Sequence, residues 1–114
     1  MDPEEDMTIS NLQKEIHKTA REKGFWDQQR NIGELIALCH SELSEALEEI
    51  RSGSEPDRIL HHGYMKPEGF PIELADLIIR VLDMAEGLGI DLEKAIRIKI
   101  AYNKTRERKH GKQF

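Results

Sequence analysis

The sequence is poor in cysteine and in aromatic residues: Cys39 is the one thiol, and Phe, Trp and Tyr together make up 5% of 114 residues. A lone cysteine excludes an internal disulfide framework, and among apolar neighbours Cys39 reads as a buried structural thiol that says nothing of catalysis. With so few aromatics, a hydrophobic share of 38% must come mainly from Leu, Ile, Ala and Val. Those residues fill helix-helix contacts well, which favours a bundle over a sandwich. Also missing is any uncharged apolar run near the roughly 20 residues that a membrane span needs. The acidic start, Met1 to Asp6, is the reverse of a basic signal-peptide region, so the expectation is a cytoplasmic protein with no membrane partner.

Charge of one sign does not dominate. A formal net charge of -5 argues against general nucleic-acid binding, yet eight of the 17 Lys and Arg fall between Lys94 and Lys112. A basic end opposite acidic middle segments suits a small anionic ligand held through a cation.

At this length the chain is expected to be a single domain over residues 1–114, burying roughly two thirds of the surface its unfolded chain exposes. Four helices are predicted. The first runs from near Thr8 to Lys23, with Ile9, Leu12, Ile16 and Ala20 as a narrow apolar face and Gly24 as its stop. Asn31 and Glu34 form a capping box for the second, which extends to about Arg51. Pro56, Pro67, Gly53 and Gly63 make residues 52–70 a long mobile loop, where His61 and His62 lack the company of a metal site. Pro71 opens the third helix, which Gly87 and Gly89 stop near Glu86, and Asp91 caps a fourth reaching about Arg106. Residues 1–7 and 107–114 are expected to be flexible ends.

The second and third helices carry the chemistry. Glu42, Glu45 and Glu49 fall on one stripe at 100° per residue, bordering the apolar sector of Leu35, Cys39, Leu43, Ala46 and Ile50. From Ile72 to Ala85 the only charged residues are Glu73, Asp76, Arg80 and Asp83, one stripe on an otherwise apolar rod. A lone Glu-x-x-Glu is an ordinary solvated helix face; its pairing with Glu-x-x-Asp on an apolar helix is what points to a site. Brought together, two such carboxylates about 4 Å apart repel by about 4 kcal/mol at an effective dielectric of 20, so a cation must lie between them. Hard oxygen donors without Cys or His select Mg²⁺, with Mn²⁺ as the substitute. Arg80 is expected to orient a carboxylate, and Asp83 to pair with Arg80 or with a basic residue of the fourth helix. Trp26 is a candidate platform for a nucleobase, or else packs the first helix onto the second.

The chain resembles the MazG-like all-α nucleotide pyrophosphohydrolases. The likeness rests on Glu42-Leu43-Ser44-Glu45 followed by Ala46-Leu47, on Glu73-Leu74-Ala75-Asp76, on Gly89-Ile90-Asp91-Leu92, and on Lys99-Ile100-Ala101-Tyr102-Asn103-Lys104 leading to His110-Gly111-Lys112. It implies an all-α, four-helix MazG-like bundle completed by oligomerisation, as a homo-dimer or homo-tetramer. It further implies Mg²⁺-dependent hydrolysis of a nucleoside triphosphate between the α and β phosphates, giving a monophosphate and pyrophosphate. Glu42, Glu45, Glu73 and Asp76 match the family's metal ligands, and Lys99 and Asn103 its phosphate and nucleotide contacts. Beside the likeness, Lys99 and Arg106 are placed to neutralise departing phosphates, and the catalytic carboxylates are expected to be Glu45 and Glu42, with Glu45 or the neighbouring Glu49 orienting or deprotonating the attacking water. Two other readings stay open: a phosphoribosyl-ATP pyrophosphohydrolase-like enzyme and a non-catalytic, nucleotide-binding helical oligomer.

Overall fold

A computed structural model describes residues 7–114; Met1 to Asp6, and with them most of the expected flexible start, lie outside the described residues. The chain forms helices α1 (Ile9–Glu22), α2 (Ile32–Arg51), α3 (Phe70–Gly87) and α4 (Leu92–Asn103), with a 3₁₀ turn over Arg108–Gly111. The described residues contain no β-strand and no helix long and apolar enough to cross a membrane.

The helix starts follow from local chemistry. Thr8, Asn31 and Asp91 each accept, through a side-chain oxygen, the main-chain N–H three residues on, closing one of the open donors of a helix N-terminus. Pro71 occupies the first turn of α3, where its missing N–H costs no helical bond. At the other end Ile90 N–H donates to Ala85 C=O at 2.8 Å and Gly89 takes a φ of 70°, which turns the chain into α4. The fourth helix stops at Asn103, three residues short of the expected Arg106.

Packing is uneven. Helix α3 is central and lies against both α1 and α2, whereas α4 leans chiefly on α1. Gln13 of α1 ties these elements together by donating to Glu86 at 3.0 Å and to Ile90 C=O at 2.9 Å. Among the described residues the buried apolar ones are Leu35, Ala46, Leu82 and Ala85, while Ile32, Ile36, Leu43 and Leu47 line one exposed face of α2. The Cα radius of gyration, 16.6 Å, exceeds the roughly 13 Å of a closed domain of this length. Within one chain, then, the bundle is open on the α2 side.

The long loop between α2 and α3 is tied near its end. Leu60 and Glu68 exchange two main-chain hydrogen bonds, at 2.8 and 2.9 Å, as an isolated antiparallel bridge. Gly69 follows with a φ of 128°, and a side chain there would collide with Arg58 C=O. Gly69→Ala therefore combines a disfavoured backbone region with a clash, and is expected to destabilise the fold by about 2 kcal/mol or more. An unchanged midpoint in urea unfolding would refute this.

Candidate metal centre

Glu42 on α2 and Glu73 and Asp76 on α3 offer carboxylate oxygens that all lie within 4.8 Å of one another. The convergence is a consequence of α2 packing on α3 with their acidic stripes at the seam. Both glutamates are buried, at 7% and 9% exposure. Leaving ionised groups in that setting without compensation is expensive.

Compensation is partial. Arg80 Nε donates to Glu42 Oε1 at 2.6 Å, so the arginine does orient a carboxylate, but Glu42 Oε2 and Glu73 Oε2 remain buried with no hydrogen-bond partner. Burial pushes Glu73 up to about 7, helped by a hydrogen bond that its protonated carboxyl donates to Glu45 and by the charges of Glu45, Asp76 and Glu42. Two unpartnered oxygens in an all-oxygen, acidic donor set fit a hard divalent ion such as Mg²⁺ or Mn²⁺. His61 and His62 belong to no metal-ligating cluster among the described residues.

Because Arg80 fixes one oxygen of Glu42 and so aims the other, Arg80→Ala is expected to lower Mn²⁺ affinity about 10- to 100-fold. Undiminished binding in a calorimetric titration would show that Glu42 needs no such support.

The cluster separates two clefts. One, about 270 Å³, is walled by Ile16, Ala20, Phe25 and Ile79 together with Glu42 and Asp76. The other holds Glu73 and the outer acids of α2, Glu45 among them. Glu45 thus reaches the site through Glu73 and lies outside the tight three-carboxylate group. Cys39 borders the cluster as a half-buried thiol whose pKa burial raises, consistent with an unreactive group.

Other expected residues fall elsewhere. Asp83 pairs with neither Arg80 nor α4: His17 Nδ1 lies 2.8 Å from its Oδ1, and Trp26 Nε1 donates to both its oxygens at 3.0 Å. Trp26 accordingly packs on α1 and α3, not between α1 and α2, edge to face with His17 and so close to Gly87 that a side chain there would overlap the indole. The guanidinium of Arg30 lies 5.3 Å from the centre of the same ring. The sequence did carry a signal for this network, since Gln13 and His17 are four apart beside the apolar stripe of α1.

On α4, Lys99 and Arg106 flank the Tyr102 ring at 5.0 and 5.5 Å. Neither they nor Asn103 line the clefts on either side of the acidic cluster. A single chain therefore does not bring the α4 cations to the carboxylates.

No protein-family model matches the chain. A stretch of 36 residues, 32% of this chain and 34% of the relative's length, is 50% identical to a dATP/dGTP diphosphohydrolase of Cyanophage S-2L. That match spans only about a third of the relative. A solved structure from the same phage, a MazG-like pyrophosphohydrolase bound to dGDP and three catalytic Mn²⁺ ions per active site, covers 90% of this chain and 83% of its own. Its TM-score is 0.60 at 32% sequence identity. With the likeness running through nearly the whole length and the carboxylates converging at the α2–α3 seam, the chain belongs to the MazG-like pyrophosphohydrolase family.

Proposed function

We infer that this protein is a divalent-metal-dependent nucleoside triphosphate pyrophosphohydrolase that converts a (d)NTP to the (d)NMP and pyrophosphate. The observation carrying the reading is the trio Glu42, Glu73 and Asp76 with two buried, unpartnered oxygens aimed where a cation would rest. The dGDP and Mn²⁺ bound by the phage neighbour support a nucleotide and a hard metal as the ligands.

In this reading Glu42, Glu73 and Asp76 hold the metal, Glu45 completes the ligand set, and Arg80 keeps Glu42 in register. A divalent cation held there would draw charge from the phosphate oxygens and acidify a bound water. Water oxygen attacks the α phosphorus in line, the bond to the bridging oxygen breaks, and pyrophosphate departs. A carboxylate of the cluster on the face opposite the departing pyrophosphate, Glu42 or Glu45, takes the water's proton. The apolar cleft beside Glu42 and Asp76 receives the nucleoside, with Phe25 at its mouth and Trp26 fixed nearby by Asp83.

The test is a panel of triphosphates with Mg²⁺ or Mn²⁺, beginning with dATP and dGTP and including phosphoribosyl-ATP. Pyrophosphate release from at least one ordinary nucleotide is expected. Nucleotide binding without any product would leave the protein a non-catalytic binder and overturn the reading.

The open α2 face points to a homo-oligomer. Ile32, Ile36, Leu43 and Leu47 share that face and are each about half exposed, an apolar stripe that a second copy can cover. In a dimer or tetramer Lys99, Asn103 and Arg106 serve a neighbouring subunit's phosphates, which explains their distance from the acids of their own chain. Light scattering is expected to give at least a dimer at micromolar concentration. Mixing Lys99→Ala with Asp76→Asn subunits should then restore activity that neither has alone; a monomer, or no recovery on mixing, would exclude the shared site.

A further inference from the structure

The second cleft holds a residue to which the reading above gives no part. This cleft, about 470 Å³, is walled by Glu45, Glu48, Glu49, Glu68 and Glu73, and the one basic side chain lining it is Lys66. Among the described residues Lys66 makes no ion pair. A cation surrounded by carboxylates yet bonded to none of them is available for another anion.

The backbone that presents Lys66 is anchored residue by residue. Pro67 confines the residue before it to extended conformations. Glu68 is locked to Leu60 by the two-bond bridge, and Gly69 is wedged against Arg58 C=O. From there the chain enters α3, whose Glu73 has a buried oxygen with no partner beside the same cleft.

We propose that Lys66 binds the terminal phosphates of the substrate, and then the departing pyrophosphate, while the nucleoside occupies the apolar cleft across the carboxylate cluster. The inference rests on the pyrophosphohydrolase reading and adds a direction to it. Five glutamates repel a polyphosphate unless cations intervene. Divalent ions held by Glu42, Glu73 and Asp76 would offset only part of that charge, and the Lys66 ammonium, on a flexible four-carbon stem, can follow the phosphates farther out. The first cleft carries cations of its own in Lys23, Arg30 and Arg80, and the direction rests on its apolar walls, Ile16, Ala20, Phe25 and Ile79, which a nucleoside needs and the Lys66 cleft lacks.

The experiment uses the full chain loaded with Mn²⁺, into which pyrophosphate and, separately, a nucleoside monophosphate are titrated calorimetrically. Lys66→Ala is expected to weaken pyrophosphate binding about tenfold and leave the monophosphate unaffected. Mn²⁺ affinity should hold or rise, since a competing cation has been removed from the acids, and Lys66→Arg should recover most of the loss. In turnover the KM for the triphosphate rises while kcat stays near that of the parent. Equal pyrophosphate affinity in the parent and Lys66→Ala, or an equal loss for the monophosphate, would overturn the proposal. A lysine kept only to neutralise the glutamates would lower thermal stability without touching phosphate affinity, and Lys66→Gln covers the case in which alanine unfolds the loop. Should the parent release no pyrophosphate from any triphosphate, the proposed reaction fails, and the titrations still decide whether Lys66 contacts phosphate.

Discussion

Glu73→Gln is expected to reduce pyrophosphate release about a thousandfold while making the metal-free protein more stable. The two effects have one origin. Glu73 is 9% exposed, lies beside Glu42 and Asp76, and has an oxygen with no partner. As an amide of nearly the same shape it no longer repels its neighbours, so the empty site relaxes. It also no longer supplies the charge that draws in a divalent ion, and the electrostatic stabilisation of the reacting phosphate is lost. Thermal unfolding with and without Mn²⁺ separates the terms: the parent should gain a large metal-dependent rise in Tm, and the variant should start higher and gain little. Asp76→Asn should lose activity similarly. Near-parental turnover with undiminished Mn²⁺ binding in Glu73→Gln would remove the carboxylate cluster from the chemistry.

Metal binding by the parent should be strongly pH-dependent on the acid side of neutrality. Burial, with Glu45, Asp76 and Glu42 alongside, raises Glu73 from an ordinary value of 4.5 to about 7. A folded-state value above the unfolded one means that the folded protein holds the proton more tightly. Its contribution to stability is therefore fully present below about pH 4.5 and is lost as pH rises through about 7 in the metal-free protein. A divalent ion needs the deprotonated form of Glu73 and must displace that proton. Apparent affinity is expected to climb about tenfold per pH unit up to about pH 7 and to flatten above it. Calorimetry in two buffers of different ionisation enthalpy should register about one proton released per first ion bound at the acid end and none at the alkaline end. A flat affinity across neutrality would mean that Glu73 is already ionised in the empty site. Glu73→Gln should abolish the pH dependence together with most of the affinity.

Much of the fold was legible because its signals are local. Thr8, Asn31 and Asp91 mark helix starts through their own side-chain bonds, and Pro71 marks a fourth through its fixed φ. The acidic stripes of α2 and α3 were legible for the same reason, since residues three and four apart share a helix face in any context. The end of α4 was less so: Tyr102 and Asn103 accept bonds from Thr105 and Arg106 in a tighter turn, a choice that no spacing rule dictates.

Partners were another matter. The sequence offers Asp83 a basic residue one turn away in Arg80, but α3 turns Arg80 toward α2 and Asp83 toward α1, so the two make different bonds. Trp26 likewise follows Asp83 and Gly87 onto α3 and leaves α2 alone. Lys66 is an unremarkable loop lysine until the Leu60–Glu68 bridge turns it into the acidic cleft.

By itself the sequence determined where the helices begin, that two of them carry acids in register, and which metals such donors accept. Each of those is a short-range property, set by torsions, caps and the 3.6-residue repeat. Only the tertiary structure decided that Glu42, Glu73 and Asp76 meet while Lys99, Asn103 and Arg106 stay apart from them. The reason is packing: which helix faces close on one another depends on the fit of whole surfaces, and each acid's surroundings are assembled from residues far away in the chain.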